Sequence, residues 1–143
     1  MLKKTVFVFG LMLAAFAAAE TPQEVIRKAY QSASFKQFAT PELKQVMTQG
    51  RKAARKADPD MGCEMFEHYH LGLGNGDMPD GWLKKLQIKQ VRPNVYQASY
   101  RNQDTSFKTD FTMQCRNGKC LIDNVNDVKQ DYRAIIRSRS CGY

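Results

Sequence analysis

Six consecutive residues, Cys115-Arg116-Asn117-Gly118-Lys119-Cys120, constrain the fold of this chain more than any other segment. Asn-Gly is the strongest two-residue hairpin signal, because both central positions of the turn need positive φ. With Asn117-Gly118 as the turn, Arg116 faces Lys119 and Cys115 stands opposite Cys120 in a non-hydrogen-bonded pair, close enough for a disulfide. Four cysteines allow three pairings. The hairpin favours this one and leaves Cys63 and Cys141 for each other, tying the C-terminus to the middle of the chain. Closing so long a loop contributes about 2 to 4 kcal/mol. A redox motif is a poor match, since four residues separate the two nearby cysteines and no strand-to-helix pattern follows them. A zinc site on Cys63, His68 and His70 would compete for Cys63 and lacks a fourth ligand.

Paired cysteines imply an oxidising compartment, and the beginning of the sequence agrees. Lys3 and Lys4 precede an apolar run from Val6 through Phe16, and Ala17-Ala18-Ala19 precedes Glu20. The pattern predicts a cleaved secretory signal peptide over residues 1–19, with an apolar stretch too short for a membrane anchor. A single domain over residues 20–143 is then expected in a bacterial periplasm. The formal net charge is +8 at pH 7, lowered by two when Lys3 and Lys4 leave with the leader. That surplus suits an acidic partner protein, an anionic glycan or a phospholipid headgroup, while the compartment argues against nucleic acid.

Hydrophobic periodicity divides the domain. Thr21-Pro22-Gln23-Glu24 reads as a capping box, with Val25, Ile26, Ala29, Tyr30 and Ala33 on one helical face. Thr40-Pro41-Glu42 starts a second helix with Leu43, Val46, Met47, Gly50, Ala53, Ala54 and Ala57 facing the core. Its opposite face carries Lys44, Arg51, Lys52, Arg55 and Lys56, a cationic back that is either simply solvated or docks an acidic partner. Asp58 to Gly81 reads as loop. Within it, Gly72, Gly74 and Gly76 lack the βαβ setting and the Lys-Ser or Lys-Thr of a phosphate cradle. Asp58, Asp60 and Gly62 lack the remaining ligands of a calcium loop. Neither a cofactor nor a metal is expected.

The period then becomes two. Leu86 to Lys89, Val95 to Arg101, Phe107 to Cys115 and Cys120 to Val125 predict four antiparallel strands, the first pair joined at Pro93-Asn94. Phe107, Thr109, Phe111, Met113 and Cys115 share one face, as do Cys120 and Ile122. Asn126 or Asp127 can cap a closing helix with Val128, Tyr132, Ile135 and Ile136 apolar. The expected class is α+β: N-terminal helices packed on a curved four-stranded antiparallel sheet, with a short C-terminal helix.

This order resembles the nuclear-transport-factor-2-like, or cystatin-like, α+β cone, and more narrowly a family of exported bacterial proteins of unknown function with that fold. The resemblance rests on Thr21-Pro22 with Val25 and Tyr30, on Thr40-Pro41-Glu42-Leu43, on Ile122-Asp123-Asn124-Val125 and on Tyr132-Arg133-Ala134-Ile135-Ile136. Gly76-Asp77-Met78-Pro79 is similar to the family's loop at the mouth of the cone, whereas Cys120 stands where the last strand of such proteins often opens with Trp. Enzymes on this fold typically carry an Asp or His inside the cone. Here the inward face reads as Tyr96, Ala98, Tyr100, Phe107, Phe111, Met113 and Ile122, with no ionisable group.

No coherent catalytic set emerges. His68 and His70 align only if their stretch is extended, and with Glu64, Glu67 and Asp77 they could reach the mouth only from the loop. The leading expectation is a non-enzymatic periplasmic module that binds another envelope protein through Arg51, Lys52, Arg55 and Lys56, for example an immunity or inhibitor protein against an envelope-directed toxin or hydrolase. The alternative is a small-ligand binder or enzyme whose cavity is walled by Trp82, Tyr96 and Tyr100, with His68 or Asp77 directed into it. A third reading places the cationic face on anionic lipid. Sheets of this fold often pair by their outer face, so a homodimer is also an expectation.

Overall fold

Thr21 and Glu24 open the first helix with the expected reciprocal bonds: Glu24 N donates to Thr21 Oγ1 at 3.2 Å and Thr21 N to Glu24 Oε2 at 3.1 Å. The computed structural model describes residues 18–142, so most of the leader expected over 1–19 lies outside the described residues. Helix α1 spans Pro22–Ser32 and buries Val25, Ile26, Ala29 and Tyr30. Ala33 does not extend that face. It is the exposed C-cap, left-handed at φ 50°, because the chain turns there toward the second helix. Helix α2, Pro41–Ala57, buries Leu43, Val46, Met47, Gly50 and Ala54 and leaves Ala53 and Ala57 half-buried. Among the described residues no helix is long and apolar enough to cross a membrane.

Strands β1 (Gln87–Arg92), β2 (Val95–Arg101), β3 (Ser106–Arg116) and β4 (Lys119–Val125) form one antiparallel sheet in sequence order. Leu86 belongs to the turn before β1 rather than to the strand, and β1 runs on to Arg92 with an irregularity after Gln90. At the other end of the sheet Cys115 pairs directly with Cys120 across Asn117 (φ 52°) and Gly118 (φ 74°). Both expected disulfides are present, Cys115–Cys120 and Cys63–Cys141. Cys115 is exposed while Cys120 is buried, so the first bridge sits at the end of the apolar side of the sheet.

A second irregularity explains how the helices attach. The register jumps from Thr112↔Asn124 to Met113↔Ile122 and leaves Asp123 as an extra residue in β4. The Asp123 carboxylate accepts from Thr40 Oγ1 at 3.0 Å and from the buried Lys129 Nζ at 2.9 Å. Lys129 also pairs with Glu42 at 3.3 Å, and Glu42 with Arg133 at 2.8 Å. Thr40 N donates to Ile122 O at 2.8 Å, which covers the outer edge of β4. One polar cluster thus joins the start of α2, the end of the sheet and helix α4 (Val128–Ser138).

The cap of α4 differs from expectation. Asp127 occupies the N-cap position without a side-chain bond, and Asn126 is turned back to accept from Asp110 N at 2.9 Å. Asn124 takes the role instead, its Oδ1 accepting from Lys129 N at 3.1 Å. Helices α2 and α4 pack together at Gly50, where a built Cβ would lie 2.6 Å from Tyr132 Cβ and closer still to the ring. Helix α1 lies across the sheet, and the two layers enclose a core that includes Ile26, Tyr30, Phe35, Phe111, Ile122 and Tyr132. The opposite face of the sheet carries Gln97, Ser99, Lys108, Asp110 and Thr112, with the half-buried Val95 and Leu121 among them.

Candidate functional site

Helical spacing turns Lys52, Arg55 and Lys56 to solvent from the back of α2, as the sequence implies. Arg51 departs from that reading. Its guanidinium is drawn inward to Glu67, Nη2 to Oε2 at 2.9 Å. The Glu67 Oε1 atom accepts three further bonds, from Ser34 Oγ at 3.0 Å, Phe35 N at 2.9 Å and Lys36 N at 2.8 Å. Burial alone would raise the Glu67 carboxyl, but the bonds from Arg51, Lys36 and Phe35 outweigh it and hold the group below the ordinary carboxylate range. Glu67 therefore fastens the segment after α2 to both α2 and the turn after α1.

That segment is less loop-like than the sequence suggests: a 3₁₀ turn spans Gly62–Glu64 and a short helix, α3, spans Glu67–His70. Gly62, Cys63 and Glu64 all lie in the left-handed region, with φ of 55°, 56° and 55°. Each of the two non-glycine residues costs about 1 kcal/mol or more there. Asp58 offsets the cost by accepting from Met61 N at 3.1 Å and Cys63 N at 3.0 Å, and the Cys63–Cys141 bridge pins the turn to the chain beyond α4. The bridge also removes Cys63 from any zinc site.

The consequence is on the surface. Met61, Phe66, Tyr69 and Val91 are the large apolar side chains left exposed among the described residues, and three of them lie in this one turn. Phe66 stacks on His68 with centroids 5.5 Å apart, and Tyr69 meets the same imidazole edge-on at 4.5 Å. Met61, Met65, Phe66 and His68 share a depression of about 300 Å³ with Arg51 and Arg55. A neighbouring depression joins Arg51 and Arg55 to Lys36, Thr48, Lys52 and Lys56. Apolar anchors and cations thus form one continuous face.

The two histidines part company because α3 is helical rather than extended. His68 is at the surface, while His70 turns inward against Phe35 and Tyr132, at 6.4 Å and 6.2 Å between ring centroids. Its buried Nε2 has no hydrogen-bond partner among the described residues. Burial first, and the Arg51 charge next, push His70 down to about 4, so it is neutral at ordinary pH.

The residues expected to wall one cavity do not meet in one. Trp82 and Tyr100 belong to an aromatic cluster that fills the concave face: Tyr30 lies 5.5 Å from Phe107 and 5.8 Å from both Trp82 and Phe111, and Tyr100 lies 5.8 Å from Trp82. Tyr30 Oη donates to Leu71 O at 2.9 Å, and Thr109 Oγ1 to the same carbonyl at 3.1 Å, so the polar groups beneath the rings are satisfied. Tyr96 is at the other end of the sheet, in a depression with Glu20, Pro22, Met113 and Cys120. Asp77 is exposed on the glycine-rich loop. His68 stacks on Phe66 at the surface and does not join the aromatic cluster on the concave face.

Sequence reading missed the apolar half of the face. Met61, Met65, Phe66 and Tyr69 follow no helical or strand period, and only the glycine-rich, cysteine-bearing context hinted that the backbone there turns sharply enough to leave them outside. Glu67 was also overlooked as an anchor, since its partners come from residues 34–36 and 51. No family model, no curated protein and no solved structure matches the chain.

Proposed function

We propose that the protein is an exported, periplasmic binding module that engages another envelope protein through the face formed by Lys52, Arg55 and Lys56 with Met61, Phe66 and Tyr69. The observation that carries this reading is the clustering of exposed Met and aromatic side chains beside unpaired Arg and Lys. Such composition marks interface hot spots, where a few anchors in a desolvated patch dominate the binding energy. The cations favour an acidic surface around the anchored residues and speed its approach. The disulfides are compatible with an extracytoplasmic setting. An immunity or inhibitor protein that covers the active region of an envelope-directed toxin or hydrolase fits these features. A ligand-binding or enzymatic cone draws no support from a concave face occupied by five packed rings.

A photo-crosslinking residue at position 66 tests the reading in cells, with the same residue at Gln114 on the outer sheet face as control. Capture of one envelope protein from position 66 alone is expected, and the purified pair should lose affinity about tenfold or more in Arg55→Glu. Equal capture from both positions, together with unchanged resistance of a gene-deletion strain to neighbouring cells, overturns it.

A further inference from the structure

A second cationic surface lies apart from that face, across the end of the sheet where β1, β2 and β3 meet the turn Trp82–Lys85. Lys84 and Lys85 line a groove of about 860 Å³ together with Ser99 and Arg101 of β2 and Ser106, Phe107 and Lys108 of β3. No carboxylate among the described residues lines it. Among the described residues none of the four cations is held in an ion pair, unlike Lys28, Arg51, Arg92, Lys129 and Arg133. Four like charges gathered around one concavity repel one another unless an anion enters it.

Both parts of this lining are stiff. Arg27, from α1, donates to Leu83 O at 2.9 Å and to Leu86 O at 3.3 Å, which clamps the Lys84-Lys85 turn from beneath. Trp82 packs edge-on against Tyr30 and Tyr100 on the inner side. The β2 and β3 residues belong to paired strands, with Arg101↔Ser106 and Ser99↔Lys108 in register. Asn102 closes the connecting loop, its Oδ1 accepting from Asp104 N at 2.9 Å and Thr105 N at 2.7 Å. Little ordering is left to be done on binding.

We infer that this groove binds a segment of an anionic polysaccharide, its carboxylate groups meeting Lys84, Lys85, Arg101 and Lys108 and its hydroxyls meeting Ser99 and Ser106. Four cations around one groove match a chain that carries several charges better than one small anion. The groove's apolar lining residues Leu86, Tyr100 and Phe107 are buried or half-buried, and the exposed large apolar side chains among the described residues, Met61, Phe66, Tyr69 and Val91, lie elsewhere, so none is offered to lipid. Of the two rings that line the groove, Tyr100 is buried and the half-buried Phe107 is stacked on Tyr30 and Tyr100, so both are engaged within the fold rather than presented to a nucleobase.

The probe is a hexasaccharide of uronic acid, titrated by calorimetry at two salt concentrations, with a neutral hexasaccharide, oligothymidine and vesicles containing phosphatidylglycerol in parallel. Saturable binding of the uronic acid chain is expected, weakened by salt and about tenfold or more by Lys85→Glu with Arg101→Glu. The milder pair Lys85→Gln and Arg101→Gln should weaken it in the same direction and guards against a folding defect, which circular dichroism checks. Lys52→Glu with Lys56→Glu, on the other face, should change it less than about twofold. The inference fails if the uronic acid chain does not bind or if the neutral chain binds as well. It also fails if oligothymidine or the vesicles bind more tightly, or if both charge-reversal pairs weaken binding equally.

Discussion

Replacing Glu67 by Gln removes one charge and almost no volume from the point where three segments meet. The amide oxygen can still accept from Ser34 Oγ, Phe35 N and Lys36 N, but each of these bonds loses its charge assistance, about 0.5 kcal/mol apiece. At 2.9 Å the other arm would turn an amide N–H toward the Arg51 guanidinium, donor against donor. Breaking a fully buried pair costs about 3 to 5 kcal/mol, and partial exposure here reduces that share to about 1 to 2. Glu67→Gln should therefore lose about 2.5 to 3.5 kcal/mol in urea unfolding at pH 7 with the disulfides intact and an unchanged m value. Arg51→Met should lose about 1 to 2 kcal/mol, and the double variant about 1 kcal/mol less than the sum, because the two side chains share one contact. A loss below about 0.5 kcal/mol, or strict additivity, would refute the assignment of Glu67 as the anchor of the 61–69 turn.

Three further expectations follow from the packing. His70 lies at about 4 in the folded protein against 6.5 ordinarily, so the unfolded chain binds its proton first as pH falls. Stability should be flat above pH 7 and drop by up to about 3 kcal/mol between pH 6.5 and 4, and His70→Leu should flatten that limb of a chemical denaturation series. Glu67 acts in the same direction at lower pH, its contribution being lost from the ordinary carboxylate value downward, because the unfolded chain binds that proton first. Gly50→Ala would gain about 1 kcal/mol from helix propensity alone, yet its methyl would collide with the Tyr132 ring, and a net loss of about 1 to 3 kcal/mol is expected in thermal unfolding. The typical range for a disulfide is about 2 to 4 kcal/mol, and the chain-entropy expression puts the Cys63–Cys141 link, with a separation of 78 residues, at or just above its upper end, about 4 to 5 kcal/mol, against about 2 for Cys115–Cys120 at a separation of 5. Serine pairs at each should rank in that order.

Local chemistry made much of the scaffold legible. Thr21 with Glu24 and Thr40 with Leu43 act within four residues of themselves, and Asn117-Gly118 sets its own turn and so the register of its cysteines. The cap of α4 is not legible in the sequence, for the opposite reason. Asn124 reaches Lys129 N only because the irregularity at Asp123 shifts the end of β4, and nothing in the order Asn124-Val125-Asn126-Asp127 marks that shift. The same holds for the cavity set of Trp82, Tyr96 and Tyr100: strand alternation puts Tyr96 and Tyr100 on one face but does not say that four residues of rise carry them to opposite ends of the sheet.

The chain by itself therefore determined the class of fold, the four strands and their order, and both sulfur bridges, since periodicity, turn stereochemistry and cysteine parity act through near neighbours. Tertiary structure decided which charges are free. Arg51 and Lys52 are adjacent and chemically alike, yet one is spent on Glu67 and the other faces solvent, and Lys84, Lys85, Arg101 and Lys108 become one groove only when the sheet is assembled. Partnership between charges depends on distance in space, which folding sets and residue order does not encode in any short-range pattern.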